Sequence, residues 1–214
     1  MSVTKKQLKD GQKALRTLKN LLTSKKAKES LETLEDDLNQ QPVSKEEERS
    51  QFSLVPELSE NFDYIAFSDG ACRGNPGPGA WGALVQSPDE NILFEGSGVE
   101  VTTTNNRMEL QGAIEAIRFI KNHECYETAL SAVLVSDSKY VVDGMNQWVA
   151  GWKRRGWKKA DKKAPENVEQ WQELDLLREE MGTVAFQWVK GHSGHPQNEF
   201  CDQLANNALD DAGF

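Results

Sequence analysis

The stretch FSDGACRGNPGPGAWGALVQ, residues 67–86, decides the fold. Asp69 closes an apolar run, and five glycines and two prolines then crowd into residues 70–82. Gly77-Pro-Gly79-Ala-Trp-Gly82 matches the dinucleotide fingerprint G-x-G-x-x-G. That fingerprint needs its glycines to open a helix whose N-terminus receives a pyrophosphate. Here Ala83-Leu84-Val85-Gln86 runs straight into the turn-forming Ser87-Pro88-Asp89-Glu90-Asn91, leaving room for a strand and too little for a helix. The nucleotide reading fails on context.

Outward from this stretch the pattern is mixed. FDYIAFS before it is a strand, and WGALVQS and ILFEGSG after it form a pair. NNRMELQGAIEAIRFIKNH is a helix, ALSAVLVS a strand, and a short helix starts at Ser138. A helix near residues 166–180, the strand TVAFQWV and the helix NEFCDQLANNALDD complete the chain. Three strands meandering antiparallel, then strands alternating with helices, make an α/β sheet with a parallel portion.

The 214 residues hold one substantial domain and an appendage. Residues 1–40 read as a helical extension, a hairpin with Leu8, Leu15, Leu18 and Leu22 at helical spacings. Residues 41–60 read as a polar linker, and residues 61–214 as the main domain. No apolar run approaches membrane-spanning length, and there is no signal-peptide core. Three widely spaced cysteines without a C-x-x-C pair make a reducing cytoplasm the expected location.

The net charge of −9 is unevenly spread. Residues 1–30 carry nine Lys/Arg against two acids, and residues 31–60 two against nine. Residues 61–214 are acidic, yet seven of their fourteen basic residues fall between Lys153 and Lys163. An acidic domain is a poor prior for nucleic acid, so the local cluster matters more than the total.

Asp69 ends the first strand and Asp137 the fourth, and in an open sheet with parallel crossovers functional groups gather at the carboxyl ends of strands. Glu109 lies one turn into a helix, and Asp202 lies in the last helix. Four carboxylates converging on one point would repel and desolvate one another ruinously unless metal occupied the centre. Oxygen-only ligation favours Mg²⁺ or Mn²⁺ over zinc. Paired hard cations clamp the attacking and leaving oxygens in phosphodiester hydrolysis.

SDGACRGNPGPGAWGALV, TTNNRMEL, SDSKYVVDGMNQWVAGWKRRGWK and WVKGHSGHPQNEFCDQLA, in this order over about residues 62–212, resemble the type 1 ribonuclease H family, closest to its bacterial members. The resemblance implies a five-stranded mixed sheet flanked by helices, here preceded by the helical extension. It implies a metal-dependent endonuclease that hydrolyses the RNA strand of RNA–DNA hybrids, leaving 5′-phosphate and 3′-hydroxyl ends. Two Mg²⁺, with Mn²⁺ as substitute, would be held by Asp69, Glu109, Asp137 and Asp202. His192 matches the mobile histidine that aids proton transfer or product release, and His195 is expected to be structural. Cys72, Asn75, Asn105, Asn106 and Gln111 match the hybrid-contacting surface.

The glycine cluster then has a purpose: it lets a hybrid approach the backbone beside Asp69, where the ribose 2′-hydroxyl can be read. In WVAGWKRRGWKKADKK, Trp148, Trp152 and Trp157 interleave with Lys153, Arg154, Arg155, Lys158 and Lys159. Cations supply phosphate attraction, and indoles pack on sugars or order the segment; the resemblance makes this a basic protrusion that holds the DNA strand. Lys139 departs from the family, whose bacterial members often carry glutamine there. A binding module without catalysis would have lost a carboxylate, and none is missing. The extension lies outside the resemblance and leaves both a protein partner and self-association through residues 1–40 open.

Overall fold

The computed structural model describes residues 53–123, 131–191 and 194–214. The expected extension over residues 1–40, most of the linker and His192 lie outside the described residues.

After a short helix, α1 (Pro56–Ser59), come strands β1 (Tyr64–Cys72), β2 (Gly77–Gln86) and β3 (Ile92–Thr103). Helix α2 (Asn105–His123), strand β4 (Ser131–Ser136) and helix α3 (Lys139–Asp143) follow. A π-helical turn (Gly144–Trp148) leads into α4 (Val149–Arg154), and then come α5 (Val168–Met181), β5 (Thr183–Trp188) and α6 (Pro196–Asp211). The five strands form one mixed sheet in the order β3-β2-β1-β4-β5. β1–β2 and β2–β3 are antiparallel, whereas β1–β4 and β4–β5 are parallel.

Alternation along β1 gives the sheet its two apolar faces. Tyr64 and Ala66 pack with Leu110, Ile114 and Ile117 of α2 and with Trp171 and Leu174 of α5. Ile65 and Phe67 pack with Leu84, Val133, Val135 and Cys201 on the other face. The helices therefore cover both faces, and the burial of β1 on each side explains its near-continuous apolar run.

Two details differ from the sequence reading. Asp69 does not end its strand: β1 continues to Cys72, and Asp69 pairs with Gly82 on β2. What ends before it is the parallel pairing with β4, at Phe67 opposite Val135. The second difference concerns the glycines, whose space is taken by the protein itself. A Cβ on Gly70 would lie 2.4 Å from the Glu109 backbone nitrogen, and one on Gly82 would lie 2.1 Å from the Cys201 carbonyl. These positions let α2 and α6 press against the sheet, closer than any side chain permits. Room for a nucleic acid is not what they provide.

Residues 53–60, read from sequence as linker, pack on the domain. Leu58 is buried with Ile65, Phe67 and Leu84. Gln197 Nε2 donates to the Ser53 carbonyl at 3.0 Å, and the Leu54 amide donates to Glu90 Oε1 at 3.0 Å. Leu58→Ala should therefore destabilise the domain by about 2–4 kcal/mol, as buried leucines do when truncated. Urea unfolding followed by circular dichroism would measure it, and a change within error would place residue 58 outside the core.

Candidate active site

Three carboxylates meet where the parallel pairing of β1 and β4 ends. β1 brings Asp69, the residue after β4 is Asp137, and the first turns of α2 bring Glu109. One oxygen from each lies within 4.8 Å of the other two. Asp69 and Glu109 are buried and Asp137 is half-buried. Few donors compensate them. The Gly70 amide donates to Asp69 Oδ1 at 2.7 Å, and Asn105 Nδ2 donates to Glu109 Oε1 at 3.2 Å. Glu109 Oε2 is buried with no partner.

Such a site resists ionisation. Burial, then the charge of Asp137 and, more weakly, that of Asp202, pushes the Asp69 carboxyl up to about 7. Burial and the charges of Asp69 and Asp137 hold Glu109 well above the usual carboxylate range. A divalent cation reverses this balance, because opposite charge at close range favours the ionised form. The donor set is all oxygen and includes an orphaned carboxylate atom, which fits a hard cation such as Mg²⁺ or Mn²⁺.

Asp202 stands outside the 4.8 Å group. Its Oδ1 accepts from Asn206 Nδ2 at 2.8 Å, while its charge is felt at Asp69. Two neighbours of the cluster carry no signal in the sequence. Asn198, buried on α6, turns Nδ2 toward Asp69 Oδ2 at 3.5 Å and leaves Oδ1 without a partner. Trp188 donates from Nε1 to the Asp137 carbonyl at 3.0 Å, and Lys139 Nζ sits 4.8 Å over its ring. An asparagine within a helix and a tryptophan ending a strand look like any others until the fold brings them to the carboxylates.

Beside the cluster, the turn after β1 is tied to α2. Asn75 Oδ1 accepts from the Asn105 amide at 3.3 Å, so Asn75, Asn105 and Glu109 form one chain of contacts. The Cys72 thiol donates to the Gly74 carbonyl at 2.6 Å, and Arg73 reaches Asp210 and the Phe214 carbonyl. Asn106 is exposed at the start of α2. Gln111 is occupied within the fold: it donates to Glu115 and accepts from Gln170. His195 is exposed, and its carbonyl accepts the Glu199 amide at the start of α6, so backbone rather than imidazole contributes there.

The aromatic residues of the basic segment are half-buried supports. Trp148 contacts Tyr140 and Trp152, and Trp152 and Tyr140 contact Trp171, with ring centroids 5.1–6.1 Å apart. Trp157 packs against the same core. Arg154, Arg155 and Lys158 are exposed and Lys159 is half-buried. Lys153 is exposed too, but its Nζ is taken up by Asp175 and Glu179 at 2.9 and 2.6 Å.

A mixed sheet with a carboxylate cluster at the end of its central parallel pair defines an α/β domain built to hold divalent cations. Residues 61–210 match the RNase H family model. Ribonuclease H of Alcanivorax borkumensis is 52% identical over 148 residues, covering 69% of this chain and 91% of that protein. Ribonuclease H of Rhizobium meliloti is 48% identical over 144 residues, covering 67% and 88%. Among solved structures, LC9-RNase H1, a type 1 RNase H with the type 2 active-site motif, is 38% identical with a TM-score of 0.59, covering 73% of this chain and 74% of that one. LC11-RNase H1, solved in complex with an RNA/DNA hybrid, is 25% identical with a TM-score of 0.57, covering 71% and 99%. The chain belongs to the type 1 ribonuclease H family and is a ribonuclease H enzyme.

The raised carboxyls set a pH dependence. The folded protein binds protons that the unfolded chain has released above pH ~4, so without divalent cation its stability falls as pH rises from ~4 toward 7. Asp69→Asn removes the charge at nearly constant shape. It should stabilise the cation-free protein at pH 7.5 by on the order of 2 kcal/mol, less at pH 5, while eliminating turnover. Thermal unfolding in chelator at both pH values measures this. A variant less stable than the parent at pH 7.5 would contradict the reading.

Proposed function

We propose that this enzyme hydrolyses the RNA strand of RNA–DNA hybrids endonucleolytically, leaving 5′-phosphate and 3′-hydroxyl ends. The observation that carries the reading is the trio of carboxylates, close together with few donors among the described residues and arranged on a ribonuclease H sheet. Asp69, Glu109 and Asp137 would hold two Mg²⁺, or Mn²⁺ in substitution, with Asp202 completing the set from α6. When bound, such cations clamp the attacking and leaving oxygens of a phosphodiester and neutralise the charge that develops.

The remaining steps fall to the chain's own groups. Cys72 at the end of β1, Asn75 in the turn after it, and Asn105 and Asn106 at the start of α2 would meet the ribose edge of the RNA strand. The 2′-hydroxyl there is the mark that separates RNA from DNA. Gln111 contributes by bracing α2 against α5. Arg154, Arg155, Lys158 and Lys159 supply phosphate attraction to the DNA strand, on the support of Trp148, Trp152 and Trp157. His192 moves a proton at the leaving group or assists product release. The free thiols of Cys72 and Cys201 suit a reducing, cytoplasmic setting. Among the described residues no helix is long and apolar enough to cross a membrane.

The extension over residues 1–40 would serve a protein partner or self-association, since its basic first part and the acidic stretch after it are complementary in charge. Molar mass in solution with and without residues 1–52 distinguishes pairing within one chain from pairing between two.

The deciding assay compares cleavage of labelled RNA–DNA hybrid, duplex RNA and duplex DNA in Mg²⁺, Mn²⁺ and chelator, with the product ends mapped. Cleavage confined to the RNA of the hybrid and abolished by chelator is expected; equal cleavage of duplex DNA would overturn the reading. Glu109→Gln and Asp137→Asn should each leave a folded, nearly inactive protein. His192→Ala should lower kcat by ~10²–10⁴-fold with little change in hybrid affinity, and an unchanged kcat would remove His192 from the mechanism.

A further inference from the structure

The basic segment is held from below by one buried acid. Asp175 lies on α5 with its side chain only 1% exposed. Lys153 Nζ, from the last turn of α4, meets its Oδ2 at 2.9 Å, and Arg178 pairs with its Oδ1. Lys153 also reaches Glu179 at 2.6 Å. Arg178 in turn donates from Nη1 to the Met145 carbonyl in the π-helical turn, at 3.4 Å. Asp175 thus joins α5, the π-helical turn and the end of α4 through two cations.

The turn beyond Lys153 needs such an anchor. Gly156 and Trp157 both take left-handed backbone conformations, with φ of 68° and 60°. For a bulky residue such as Trp157 this is an outlier that surrounding structure must impose. The Gly156 amide bonds back to the Lys153 carbonyl at 3.1 Å, and the Trp157 amide bonds to the Trp152 carbonyl at 2.7 Å. The turn presenting Arg154, Arg155 and Lys158 is therefore built directly on Lys153. Among these cations Lys153 has its charge answered within the protein by two carboxylates.

We propose that Asp175 is a positioning residue for hybrid binding: by fixing Lys153 it sets the place of the turn whose free cations meet the phosphate backbone. Lys153 itself is an internal tie and not a phosphate contact. The inference rests on the hybrid-cleaving reading above. Cations held in a fixed row lose less conformational freedom on binding than cations on a mobile loop, so the anchor acts on affinity and not on the bond-breaking step.

The test uses the full chain, with hybrid affinity measured over a range of salt concentrations and with steady-state kinetics. Asp175→Asn should raise KM about tenfold, the weight of one charge-assisted hydrogen bond, with kcat retained at saturating hybrid. The slope of log affinity against log salt should be unchanged, because no phosphate contact is lost. Arg154→Gln, the reference, should flatten that slope by about 0.9, as loss of one neutralised phosphate does. Lys153→Gln, which removes the partially exposed partner and keeps the protein testable should Asp175→Asn not fold, should weaken binding with the slope intact. The double variant should be no worse than the worse single variant, the mark of groups acting as a unit. A Lys153→Gln slope as flat as that of Arg154→Gln would make Lys153 a phosphate contact and overturn the proposal. So would an unchanged KM in both Lys153→Gln and Asp175→Asn. Wild-type protein that binds hybrid no better than duplex DNA would instead overturn the hybrid reading itself.

Discussion

The mutual repulsion of Asp69, Glu109 and Asp137 is the constraint on which the rest of the molecule depends. Three acids are forced together, with the Gly70 amide, Asn105 and the more distant Asn198 among the donors that relieve them. Left alone, the arrangement costs stability, which is why the Asp69 carboxyl is pushed up to about 7. A fold tolerates such a cost only where the surrounding structure is rigid enough to impose it. That rigidity comes from the sheet. β1 is buried on both faces and paired with β2 and β4, and Asp69 itself is held by its pairing with Gly82 of β2. Gly70 brings the backbone of α2 against β1, and the same approach delivers Glu109.

The basic segment is organised on a different principle. Around the carboxylates, among the described residues, charge meets few donors; under the basic segment it is compensated with care. Asp175 has two cationic partners, and Trp148 and Trp152 meet Tyr140, Trp171 and each other in edge-on and tilted contacts. A site that holds cations and a surface proposed to attract phosphates have opposite requirements, and the two are carried by different elements. Stiffness is common to both.

The fold was legible because its elements are strongly patterned. The near-continuous apolar run of β1 and the helical spacing in α2 survive any tertiary context, and the four matched carboxylates pointed to a cation site. What the sequence hid was contact. Nothing in the glycine run says whether Gly70 and Gly82 face a ligand or the protein's own backbone, and they face the protein. Leu58 falls in the stretch read as a polar linker, because the cluster that buries it is assembled from distant segments. Lys153 and Arg154 are adjacent and both basic, yet only the fold puts Asp175 beneath the first. The chain's four matched acids likewise appear equivalent in sequence, whereas Asp202 stands apart from the other three, with Asn206 on its carboxylate.

The central claim is that protons occupy the carboxylate cluster until a divalent cation displaces them. The most direct measurement is Mg²⁺ binding by calorimetry at pH 7 in buffers of different ionisation enthalpy, which counts the protons released per protein. With Asp69 titrating near 7 and Glu109 raised beside it, the account predicts a substantial fraction of a proton or more released on binding, declining when Asp69 is replaced by asparagine. Cation binding at pH 7 with no proton release would show that the three carboxylates are already ionised side by side, and would contradict it.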